Sequence, residues 1–431
     1  MPTEGSTGSR RVFMEGSLVL PCGYCDKNTY RNRHSIRRSV QEILLLRSSG
    51  SLRRTKQRQF ESVLHCCRHP RTATARTHMA ATSHTTHSTM AKQTGAHRQL
   101  RSAMLGLSIA AAVYPYLLRG FHTFQETVFR SALSALLEAL FMTAVFAVPA
   151  IGLLIVARLS GHAPKTRAEI RVRRFAYMTV ASPTIFVFFG VVWYMCGTPI
   201  EDIWVWPILW IAIALWIVYA SDSPISVDKE NPSRWRMAHG IAGSLALVYV
   251  LFHVANHLFG LSGPDAHAAV MKAGRIVYRS PLVQPLLVMG MLFQVFTGIR
   301  LALFWSTKPA GFHRVFQVAT GFYLSLFIVG HMNSVFIFAR TFLKIDTDWA
   351  FASGAPAGLV HDVWNNRLIP HYALGVFFVL SHLASGLRVV LLHHGANQRY
   401  VNRVWNATVV LSAVVAIAVS LALTGLRLPH G

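Results

Sequence analysis

The sequence predicts an all-α polytopic membrane protein with about nine transmembrane helices, and three observations carry that reading. First, the 431 residues are 52% hydrophobic and only 14% charged, with a mean hydropathy of +0.38; ordinary soluble domains carry about 25% charged residues. Second, apolar runs of about 20 residues, the length that spans a hydrocarbon core of about 30 Å, recur between polar breaks. Third, the formal net charge of +25 is placed in loops and in the first 100 residues, which hold 17 Lys and Arg against 5 Asp and Glu. Basic loops stay on the cytoplasmic side and sit close to anionic lipid. Membrane lipid is therefore the expected partner, and no nucleic acid is needed to explain the charge.

Residues 1–100 form a basic segment rich in Arg, Ser, Thr and His. They show no sustained period of 3.6 or 2, so they bury no core and are expected to be disordered. Cys22 and Cys25 with Cys66, Cys67, His65 and His69 are poorly spaced for zinc. The Arg and Ser excess resembles an organellar transit peptide, and translation starting at Met90 is the plainer reading. Spans then follow near 103–119, 133–157, 175–196, 203–220, 240–261, 282–304, 315–339, 370–392 and 405–425. Pro149 and Pro183 predict kinks. The 158–174 loop, with Arg158, Lys165, Arg167, Arg171, Arg173 and Arg174, is expected inside. The short 197–202 turn, with Glu201 and Asp202, is then outside, and the N-terminus is cytoplasmic. Trp204, Trp206, Trp210 and Trp216 serve interfaces and packing. Residues 101–221 form a four-helix module to which the sequence assigns no role, and residues 236–425 form a five-helix membrane domain.

Histidines inside these spans call for a reason, because a titratable ring in lipid is costly and rarely faces it. At 1.5 Å per residue, His253 lies about 21 Å beyond His239, and His331 about 25 Å beyond Arg314. Their helices run the same way, so the two rings end at one level and can clamp a haem iron between facing helices. His257 is one turn from His253 and can replace it as ligand. His371, His382 and His393 recur every eleven residues on one stripe, with His382 alone deep. The pattern fits a proton relay or transporter as well. Arg236, Arg314 and Arg388, near helix ends, offer planar donor forks for haem propionates or a quinone carbonyl, or mark the interface by snorkelling.

A resemblance adds to this. His239, Gly243, His253 and the Asn256-His257 pair lie in order on one span. The loop GPDAHAAVMKAG follows, then Thr320-Gly321 leading to His331, then His382-Leu-Ala-Ser-Gly386. On these residues, positions 239–425 resemble the five-helix cytochrome b subunit that anchors succinate dehydrogenases and fumarate reductases, particularly the single-chain, two-haem type. The resemblance implies a cytochrome b-like bundle in which His253 and His331 ligate one haem b and His382 a second. One position departs: where a histidine is expected four residues before Gly298, this chain has Gln294. One haem, a high-spin second haem, or a quinone or proton role for His382 all stay open.

The implied activity is electron transfer between quinone and a partner redox protein in a bacterial inner membrane. Soluble flavoprotein and iron–sulfur subunits would be the partners, and this chain a non-catalytic subunit. The sequence offers no dinucleotide-binding glycine pattern and no cysteine spacing for an iron–sulfur cluster, which argues against hydride chemistry here. The alternative is a haem-free transporter or sensor that uses the histidines as proton carriers. The stretch around 173–197 also has a rhythm like that around 234–260, as a decayed duplication would.

Overall fold

The computed structural model describes residues 78–126, 131–223, 225 and 231–428, and among them every regular element is helical. The expectations for Cys22, Cys25, Cys66, Cys67, His65 and His69 lie outside the described residues. Helix α1, His78–Gln125, begins inside the segment that the sequence reading assigns to disorder. Nucleation is the costly step of helix formation, so an apolar span extends cheaply into residues that could not start a helix themselves.

Helix α2, Ala132–Leu159, opens on a capping box in which Ser131 and Ser134 each bond the other's backbone N–H, which satisfies donors that a helix start leaves orphaned. It continues through Pro149. The third expected span is a bent pair: α3, Arg167–Val180, and α4, Ser182–Met195, meet at 71°. Pro183, in the first turn of α4, lacks the N–H that would continue α3, so the ladder breaks there. The break also admits a neighbour. A Cβ on Gly152 of α2 would lie 2.8 Å from the Val180 backbone nitrogen. Helix α5 is Asp202–Tyr219.

The rest of the chain begins with α6, Ser233–Leu258, prolonged by a 3-10 turn, Phe259–Ser262. The shorter α7, Pro264–Tyr278, turns back along it, with Tyr249 and Tyr278 ring centres 5.7 Å apart. Next come α8, Val283–Trp305, and α9, Phe312–Met332, which runs on as a π-helical segment, Asn333–Leu343. Two short helices, α10 (Trp349–Ser353) and α11 (Gly358–His361), precede the long pair α12 (Leu368–His393) and α13 (Gln398–Leu423). Among the described residues eight helices are long and apolar enough to cross a membrane, or nine if the bent α3–α4 pair counts as one span. The protein is an all-α polytopic membrane protein.

Contacts at the two ends fix the alternation. The Ala310 N–H bonds the Ser160 carbonyl at 2.8 Å, joining the basic 158–174 loop to the start of α9. At the other end Arg119 pairs with Glu201 at 3.3 Å, and His122 Nε2 meets the His361 carbonyl at 3.0 Å. One apolar core runs from Leu107 and Tyr114 on α1 through Phe175 and Trp206 to Tyr323 and Phe378. Trp206 sits in that core and donates to the Ala111 carbonyl at 2.7 Å, whereas Trp204 and Trp216 are exposed. Arg173, read as a loop charge, is buried and its guanidinium donates to the carbonyls of Leu159, His162 and Lys308. Such donation satisfies chain ends that have no helical partner. Helix α9 is central and buries nine residues, while α6 buries only Val254 and Asn256. The candidate site lies where the loosely packed α6 faces α8, α9 and α12.

Candidate functional site: two histidine pairs along one helix

His239 and His253 are fourteen residues apart on α6, close to four turns of 3.6, so they share one face. Each meets an imidazole from another helix. His253 faces His331 of α9, with ring centres 5.9 Å apart and planes at 69°. Aromatic rings hold both in place: Tyr249 stacks on His253 at 5.6 Å, and Phe327 lies parallel to His331 at 5.8 Å. Phe327 also touches His371 of α12, at 4.6 Å. His257 packs on His253 at 4.9 Å and turns toward His267 of α7 at 5.5 Å, its Nδ1 buried without a partner. His267 accepts from the Asn256 amide at 3.2 Å. Burial, reinforced by the Arg275 charge and opposed by Asp348, pushes the His267 imidazole down to about 4, so it stays neutral and able to accept.

The second meeting is between His239 and His382 of α12, ring centres 6.3 Å apart and nearly perpendicular. Here the hydrogen bonds assign the tautomers. The Thr297 hydroxyl donates to the Phe293 carbonyl at 2.7 Å, so its oxygen accepts from His239 Nδ1 at 2.7 Å. His382 Nδ1 lies 3.1 Å from the Gln317 carbonyl and 3.0 Å from the Thr320 hydroxyl, which itself donates to the Phe316 carbonyl at 2.9 Å. Both rings therefore carry hydrogen on Nδ1 and keep a lone pair on Nε2. A partner fixing the far nitrogen is what orients metal-ligating histidines.

Small residues make room for this pair. A Cβ on Gly321 of α9 would come 2.8 Å from His382 Cε1, and one on Gly298 of α8 would lie 3.7 Å from His239 Cε1. One turn beyond His382 on the same face, a Cβ on Gly386 would meet nothing within 4 Å. Gln294 bonds the His239 carbonyl through its amide at 2.9 Å, so it braces α6 against α8.

The three sequence-predicted arginines gather at the His239 end. Arg314 stacks on Trp305 at 4.5 Å and donates to the Gln317 amide oxygen at 2.6 Å. Arg236 and Arg388 are its charged neighbours, and Arg388 donates to the Asn402 side chain at 2.9 Å. His393 lies with His394, apart from both pairs.

No protein-family model, curated protein or solved structure matches the chain. The functional reading therefore rests on geometry. The two facing imidazole pairs, with ring centres 5.9 and 6.3 Å apart, are close enough that each could hold one metal-bearing group between its rings. Among the described residues no three His, Cys, Asp or Glu side chains converge to hold a bare ion. Paired neutral imidazoles are the donors that haem iron takes, so these pairs are the residues that would hold such a group.

Sequence reasoning missed His239 as the partner of His382, and with it Thr297 and Thr320. The signal was present in the fourteen-residue spacing on α6.

Proposed function

We propose that this chain is a membrane-embedded b-type cytochrome-like protein that moves electrons between a quinone and a partner redox protein. The observation that carries the reading is the repeated arrangement on α6: two facing imidazole pairs, with ring centres 5.9 and 6.3 Å apart, about 21 Å from one another along one helix. His253 and His331 would hold one haem b, and His239 and His382 a second, with His257 standing outside the first pair. A haem held this way supplies one-electron transfer through its iron.

The chain's own residues do the rest. Thr297 and the Gln317 carbonyl hold the Nδ1 hydrogens of His239 and His382, so that each ring presents Nε2. Tyr249 and Phe327 hold the other two rings by stacking and keep water from that level. Arg236, Arg314 and Arg388 offer guanidinium donors to propionates or a quinone carbonyl at the His239 end. With the basic loop inside, that end is cytoplasmic and faces the soluble flavoprotein and iron–sulfur subunits proposed as partners, in a bacterial inner membrane.

A second reading draws on the run of imidazole contacts from His331 through His253 and His257 to His267: a haem-free transporter or sensor passing protons along that run. The reduced-minus-oxidised spectrum of the purified protein, made with haem supplied, separates the two. A b-type band that His331→Ala diminishes supports the cytochrome, and a colourless preparation refutes it.

A further inference from the structure

At the end of the bundle away from the basic loop, three guanidinium groups converge that neither histidine pair uses. Arg275 donates to the Thr347 carbonyl at 3.1 Å and Arg279 to the Thr347 hydroxyl at 2.9 Å. Arg340, on the π-helical segment, stacks on Phe336 and is a charged neighbour of both. The groups facing this trio are Tyr249, Tyr278, the exposed carboxylate of Asp346 and, beside Arg275, the His267 imidazole. None of the three arginines closes an ion pair with Asp346. The Nε atoms of Arg275 and Arg279 are buried and unpartnered. Three like charges held together against their mutual repulsion, with no carboxylate bound among them, make a receptor for an anion.

The surroundings say which anion. Ile276 (77% exposed), Val277 (64%) and Leu282 (70%) stand out from the same stretch, and Phe342 and Leu343 flank Arg340. A free ion has no use for that apolar surface, whereas a lipid brings acyl chains to it. We propose that Arg275, Arg279 and Arg340 bind the phosphate of an anionic phospholipid, with its chains along Ile276, Val277 and Leu282. The site stands independently of any haem.

The test is binding of short-chain phosphatidylglycerol to the detergent-purified full chain, read by native mass spectrometry, with inorganic phosphate as a competitor. Loss of charge-assisted bonds should weaken binding at least about tenfold in Arg275→Gln/Arg279→Gln and in Arg340→Gln, while Lys272→Gln binds as the parent does. Should the double variant fail to fold, Arg340→Gln decides alone. Unchanged lipid binding in either arginine variant that folds overturns the site. So does competition by inorganic phosphate at equal concentration, which would mean that a bare anion suffices.

Discussion

His239 and His382 stand with ring centres 6.3 Å apart, each with its Nδ1 hydrogen bonded to protein and its Nε2 free. If this pair ligates a haem, His239→Ala and His382→Ala should each lower haem content from about two to about one per chain. The remaining signal should belong to His253 and His331. Haem extracted and counted against protein makes the measurement, and unchanged content in His239→Ala would refute the pairing.

His253, rather than His257, faces His331. His253→Ala should therefore remove the same spectral component as His331→Ala, and His257→Ala should leave the band position in place. A spectrum lost with His257 and kept without His253 would move the ligand by one turn.

Thr297 is the acceptor that fixes His239, while His382 has the Gln317 carbonyl besides Thr320. Thr297→Val should then weaken cofactor retention by about 10- to 100-fold, the usual effect of losing a group that orients a ligand. Thr320→Val should do less. Haem retention during dilution reports both, and equal losses would contradict the assigned bonds.

Arg367, just before α12, and Asp202, at the start of α5, form a mostly buried ion pair flanked by Phe186 and Trp364. Asp202→Asn leaves a buried guanidinium uncompensated and should cost about 3 kcal/mol, read as a lower unfolding temperature in detergent. Gly190→Ala should destabilise through the same pair, because its Cβ would strike the Arg367 Nη1 and lie 2.6 Å from Asp202 Oδ2.

Asp222 anchors the start of α3. Desolvation raises its carboxyl, but the Ala168 and Ser223 N–H groups, the Thr166 hydroxyl and the nearby Arg171 outweigh that and hold it below its ordinary 3.8. The unfolded chain thus takes up the proton first as pH falls, so the stability Asp222 contributes is present above 3.8 and is lost as pH drops through the folded value. Melting of the parent should show an acid slope in that range that is shallower in Asp222→Asn. Parallel curves would rule the contribution out.

What the sequence by itself determined was local: which stretches are apolar enough to span, how they alternate, and that histidines lie inside α6, α9 and α12. Hydropathy and helical rise are properties of a single segment, so they are legible without neighbours. The bend between α3 and α4 was half legible, since Pro183 announces a break and gives no angle. Tertiary structure alone decided that His382 meets His239 across the bundle, that Gln294 braces a backbone, and that Arg275, Arg279 and Arg340 converge. Which side chains meet depends on how each helix is rotated and tilted against the others. That is set by small residues such as Gly298 and Gly321 and by the summed packing of the core, and it leaves no period in the chain.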